Sequence, residues 1–227
     1  MKPATAARFT PDRIAWIGVY AAAFLYPGLT GCAGGLHSDS RAAQVYILRA
    51  GAPPSADSAP GNHASIHVAR PIPGPGLDSE HIVLVQPDHR MSYYLASRWP
   101  AALPDVVESL TVQTLRDSGG WAAVQGSSSS FPADYILQIA IRRFEADYST
   151  RPDAPQVHVV LDCTVGKRAG REIITSFVAD GTAAASANRL SEVVTAFETA
   201  SSKALSLVAA RTDEAVRGVA PHEAPPE

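Results

Sequence analysis

"DYILQIAIRRFEADY", residues 134–148, decides the fold of this chain. Tyr135, Leu137, Ile139 and Ile141 recur at every second position, the spacing that puts side chains on one face of a β-strand. Downstream, "VHVVLDCTV" (157–165) repeats the pattern, with Val157, Val159, Leu161, Cys163 and Val165 on one face and His158, Asp162 and Thr164 on the other. "EIITSFVAD" (172–180) follows across "GKRAG" (166–170), whose glycines suit a hairpin tip. These segments predict an antiparallel meander of long strands, with Cys163 as a small buried hydrophobe.

Working outward, "QVYILR" (44–49), "ASIHVARPI" (64–72) and "WAAVQG" (121–126) read as further strands. "IVLVQPDHRMSYYLASRW" (82–99) reads as a hairpin turning at Pro87, Asp88 and His89. "LPDVVESLTVQTLRDSGG" (103–120) has proline near its first position, acids in its first turn and glycine at its stop, so it predicts a helix. A second amphipathic helix is expected in 185–211, where Leu190, Val193, Val194, Phe197, Ala204, Leu207 and Val208 recur at helical spacing. The expected fold is therefore α+β: a single layered domain with a largely antiparallel sheet of six or seven strands and two amphipathic helices on one face. Strands such as "IVLV" and "DYILQIAI" are apolar at both parities, which implies that a neighbour or partner chain covers part of the second face. Residues 44–211 form this domain, and 212–227, polar and rich in proline, are expected to be a disordered tail.

The N-terminus reads differently. Lys2, Arg8 and Arg13 against Asp12 form a basic region, followed by "IAWIGVYAAAFLY" (14–26), too short for the roughly 20 apolar residues of a membrane-spanning helix. Pro27 and Gly28 break it just ahead of "LTGC" (29–32), in which small residues precede Cys32. Residues 1–31 are thus expected to be a signal peptide. Leu29, Thr30, Gly31 and Cys32 resemble the lipobox of bacterial lipoproteins, which implies that Cys32 becomes the acylated N-terminus and that 32–43 are a lipid-anchored spacer. Ala33, rather than Asp, after that cysteine favours the outer membrane in this resemblance. A disulfide between Cys32 and Cys163, or an idle thiol at Cys32, is the alternative. One myristoyl-length chain gives a membrane association constant of about 10⁴ per molar, roughly 5.5 kcal/mol, so several chains hold a domain durably.

Composition narrows function. The formal charge is −3 for the whole chain and, without Lys2, Arg8, Arg13 and Asp12, about −5 for the mature part; no basic face or stripe suits nucleic acid. His63 and His67 have i, i+4 spacing, but in a strand or loop and without a third ligand nearby, so no metal site and no cofactor is expected. "GSSSS" (126–130) lacks the pattern of a nucleophile elbow. "GKRAGR" (166–171) lacks the spacing of a nucleotide-phosphate loop and reads as a solvated hairpin tip. Asp78, Glu80 and Asp88 with His81 and His89 lie in turn segments, where such residues are ordinary. Tyr93, Tyr94 and Trp99 near the hairpin suit either core packing or contact with a partner.

The lipobox, "VYILR", "IVLV", "YYLASRWPAALPDVVESLTVQTL" (93–115), "ADYILQIAIRRFEADY" (133–148) and the last helix together resemble the ABC-type transport auxiliary lipoprotein family. The most telling pieces are Cys32 with its lipobox, Arg98 to Pro100, and Ala133 to Glu145; the glycine- and proline-rich stretch 70–81 and the tail depart from the pattern. The resemblance implies a non-enzymatic lipoprotein on the periplasmic face of the outer membrane, with an MCE-domain (mammalian cell entry) protein and its ABC permease and ATPase as partners in lipid transport, and with homo-oligomers open to it. Two other readings stand beside it: an envelope assembly or scaffold lipoprotein that partners an outer-membrane protein, and a lipoprotein hydrolase.

Overall fold

The computed structural model describes residues 42–49, 51 and 62–219; the expected signal peptide (1–31), Cys32, most of the expected spacer and residues 220–227 lie outside them. Within them the chain forms the strands β1 (Gln44–Val45), β2 (Asn62–Val68), β3 (Ile72–Pro73), β4 (His81–Val85) and β5 (Met91–Arg98), then the helix α1 (Leu103–Asp117). The strands β6 (Trp121–Gln125), β7 (Tyr135–Asp147), β8 (Gln156–Lys167) and β9 (Glu172–Ala184) follow, and the helix α2 (Leu190–Val219) closes the domain.

The α+β class holds, and the sheet that carries it is mixed and nine-stranded among the described residues. β7, β8 and β9 form the expected antiparallel meander, and β4 and β5 the expected hairpin. The other flank of β7 departs from an antiparallel sheet. β2 runs parallel to it at Tyr135–Leu137, β3 at Ala140–Ile141 and β4 at Ala146–Asp147, so three segments share one long partner strand end to end. β2 also lies parallel to β6, and β1 to β5. Parallel neighbours need a crossover connection, and α1 lies between β5 and β6 on the path that joins β2 to β6. "QVYILR" is strand only at Gln44–Val45, after which the chain leaves the sheet for the helices.

Both helices lie on one face. Ile66 and Val68 pair with Tyr135 and Leu137, which in turn pair with Lys167 and Val165, so the inward residues of β2, β7 and β8 share the side on which α1 and α2 pack. Trp99, Phe144 and Phe197 meet at its centre: Trp99 stands edge-on to both phenylalanines at 6.1 and 5.3 Å, and the two phenylalanines stack at 5.2 Å. Such pairs add about 0.5–1.5 kcal/mol beyond the area they bury. α2 comes closest at Gly181, where a Cβ would stand 2.0 Å from the Ala200 carbonyl oxygen, so only glycine admits the helix at this distance.

α2 runs eight residues beyond Arg211, into the segment expected to be a tail. The reason is burial: Thr212 and Val216 continue the apolar stripe of α2 and are fully covered.

Candidate functional site

The three aromatics named from the sequence separate. Trp99 is core, 1% exposed, and its backbone N–H donates to the Glu80 carbonyl oxygen at 2.8 Å. Tyr94 is half-buried on the helix side, its hydroxyl 2.8 Å from that of Tyr148, which donates to Asn188 Oδ1 at 2.7 Å. Burial raises the Tyr94 pKa above the ordinary tyrosine range, and the Tyr148 hydroxyl adds to the shift. Tyr93 points the other way, 40% exposed, with its ring 4.7 Å from that of His81.

Tyr93 belongs to an apolar edge. Successive strand residues alternate faces, so Met91, Tyr93 and Leu95 project together from β5, and all three are exposed. Ala96 has φ 51°, a left-handed value that breaks the pleat, and the Ser97 hydroxyl donates to the Tyr94 and Leu95 carbonyls within the kink. Beside it Leu95 is left 93% exposed. β1 covers this edge only at Ser97 and Arg98, and adds the exposed Val45 and, just past it, Ile47. From there the chain crosses to the helices, with the Arg49 N–H donating to Glu198 at 3.3 Å and Gly51 held against Ser202.

The sheet face away from the helices carries a charged and partly shielded row along β7 and β8. β7 carries a bulge between Ile141 and Arg143, so its inward residues change from odd to even numbers. Phe144 thereby enters the core, while Arg143, Glu145 and Asp147 share the opposite side. Arg143 donates to Glu145 at 2.6 Å and to Asp147 at 3.1 Å, and Glu145 is only 8% exposed. Burial opposes the charge on Asp147, but the Ser149 hydroxyl and N–H, with Arg143, hold its pKa below the usual carboxylate range. His158, paired with Glu145 across the strands, is held below the usual imidazole value by burial first and by Arg143 second. Farther along, Arg142 is ion-paired with Asp162, and Thr164 bonds Ser176 at 3.1 Å.

The remaining candidates disperse. Asp78, Glu80 and Asp88 are each engaged by a different arginine, Arg70, Arg98 and Arg90, and His81 and His89 do not join them in one cleft. Ser127 donates its N–H and hydroxyl to Glu108 at 2.7 and 2.9 Å, which ties its loop to α1. His63 and His67 lie on β2, and among the described residues no group of three His, Cys, Asp or Glu side chains is placed to hold a metal ion. Cys163 is buried, and burial raises its thiol pKa to about 12, with Asp162 adding to the shift. The sequence pattern did not reveal the Arg143, Glu145 and Asp147 row, because the bulge after Ile141 changes which residues of β7 face outward. It also missed the β5 edge, which arises from the turn at Ala96.

Two helices on one face of an open mixed sheet, with an apolar edge and a charged row on the opposite face, define a two-layer α+β domain. The model of the ABC-type transport auxiliary lipoprotein component family matches residues 46–210, and the chain belongs to that family. It is accordingly a lipoprotein and an auxiliary component of ABC-type transport. The crystal structure of a DUF330-family protein from Xanthomonas campestris superimposes with a TM-score of 0.65 at 23% identity, covering 78% of this chain and 95% of that one. A hypothetical protein from Chlamydia trachomatis gives 0.52 at 10% identity, over 69% and 99% of the two chains. These likenesses establish the fold. No curated protein matches the chain.

Proposed function

We propose that this chain is the lipid-anchored auxiliary component of an MCE-type ABC system that moves lipid between the inner and outer membranes, held through Cys32 on the periplasmic face of the outer membrane. The observation that carries the reading is the family match over residues 46–210 directly behind a lipobox. The geometry supports a role in docking. Tyr93 and Leu95 on the β5 edge, with Met91 beside them, offer an MCE-domain protein an apolar strip whose backbone groups are only partly paired. Trp99 serves this surface from within, by fixing the end of β5 to the core. Anchoring confines that strip to one leaflet and raises its effective concentration at a partner reaching the membrane.

The test has two parts. Cys32→Ala releases the folded domain from membranes; a variant that still sediments with outer membrane after a salt wash contradicts the anchor. Purification of the acylated protein recovers an MCE-domain protein, and Leu95→Asp lowers that recovery about tenfold or more, the loss of an apolar hot-spot contact. Recovery of an outer-membrane barrel alone contradicts the transport reading and favours a scaffold role.

A further inference from the structure

We infer that one end of the sheet, formed by the β8–β9 tip and the β6–β7 loop, docks on an anionic phospholipid surface. Lys167, Arg168 and Arg171 stand exposed at that tip. Seven of the thirteen arginines of the described residues are held in ion pairs, whereas none of these three cations has a carboxylate of a described residue within 4.0 Å; Arg49, Arg116, Arg151 and Arg189 likewise stand outside ion pairs but are not gathered at one tip. Against Glu172 on the tip and Asp134 at the end of the β6–β7 loop, they leave a local excess of about one positive charge on a chain whose formal charge is −3.

Apolar side chains surround the cations. Ile173 is 68% exposed, and Gly166 lies between it and Ile136 in the strand register, leaving a flat apolar floor on the face away from the helices. A cavity of about 440 Å³ opens over this floor, bounded by Gln138, Thr164, Glu172 and the three cations. The Arg168 N–H donates to the Asp134 carbonyl at 2.9 Å, which pins the tip to the end of the β6–β7 loop. Phe131, 74% exposed, is three residues from Asp134, so its Cα lies within about 11 Å of that tie. Unpaired cations beside exposed Phe and Ile are the composition that binds the headgroup and acyl boundary of an anionic bilayer, because the charges meet phosphate while the apolar side chains enter below it. Arg171 itself has φ 54°, a left-handed conformation that disfavours side chains other than glycine, yet a cation occupies it. The tether permits this pose: the dozen residues from Cys32 to Gln44 extend to about 40 Å, close to the ~43 Å length of β7.

The inference deepens the anchored reading and is tested apart from it. The acylated full chain, carrying Phe131→Cys labelled with an environment-sensitive fluorophore, is reconstituted into phosphatidylcholine vesicles containing phosphatidylglycerol, with lipids brominated near the headgroup as quenchers. The label is expected to be quenched, more weakly without phosphatidylglycerol or in high salt. A label at Asp88→Cys, on the hairpin at the opposite end of the sheet, is expected to stay unquenched. Replacing Lys167, Arg168 and Arg171 with Gln lowers the docked-to-free ratio about 100-fold, at about fivefold per cation near an anionic surface. An unquenched Phe131 label, a quenched Asp88 label, or quenching indifferent to the triple substitution overturns the inference. Failure of the anchor shows separately, as an unacylated mass, and the quenching pattern still scores the tip.

Discussion

At the scale of single residues, burial decides chemistry. Cys163 falls on the inward face of β8, where the period of "VHVVLDCTV" put it, and burial raises its thiol pKa to about 12. The folded protein is therefore expected to resist alkylation at Cys163 at pH 8 and to react on denaturation; rapid labelling of the native state, read by mass, contradicts this burial. Phe197 closes the aromatic trio, and Phe197→Ala is expected to cost about 3–5 kcal/mol in chemical denaturation. The histidines give stability a pH dependence. His67 and His158 are both held below 6.5 by burial, reinforced by Arg168 and Arg143 respectively. The unfolded chain then takes up protons at higher pH than the folded one, so their contribution is complete above pH 6.5 and is lost as the pH falls below it. Thermal melts should show Tm falling from pH 7 to 5, and less steeply in a His67→Gln, His158→Gln variant. An unchanged slope contradicts the assignment.

At the scale of elements, the segments with an uninterrupted period were legible and those set by contacts distant in sequence were not. The β7–β8–β9 meander, the β4–β5 hairpin and both helices follow from spacing and turn chemistry. The parallel pairing of β2, β3 and β4 along β7 does not, because "ASIHVARPI" has the same alternation beside either kind of neighbour. The bulge after Ile141 inverts the inward set, so the Arg143, Glu145 and Asp147 row was hidden by a pattern that stopped at Ile141. α2 outran its expected end because Thr212 and Val216 sit in a stretch whose composition is polar. Truncation after Arg211 is expected to cost about 2 kcal/mol for lost burial at Val216, or about 4–8 °C in Tm. Gly181→Ala is expected to destabilise by about 1–3 kcal/mol, since its Cβ must displace α2. A neutral effect of the truncation would contradict the burial of Val216, and a neutral Gly181→Ala would contradict the close approach of α2 to β9.

At the scale of the whole molecule, the domain divides its surfaces by role. The helix-covered face holds the core, the β5 edge offers apolar side chains, and the tip beside the start of β7 gathers Lys167, Arg168 and Arg171. Cys32 rests on its short motif and lies outside the described residues, while the surface at Tyr93, Tyr94 and Trp99 was legible only in part, since exposure depends on a kink at Ala96 and on which face each strand residue takes. None of these surfaces has a role in the proposed function unless the chain is held at a bilayer. Intact mass of the mature protein extracted from membranes tests that most directly. The account predicts a chain that begins at Cys32 and carries fatty acyl chains; an unmodified N-terminus, or one that starts at any other residue, would contradict it.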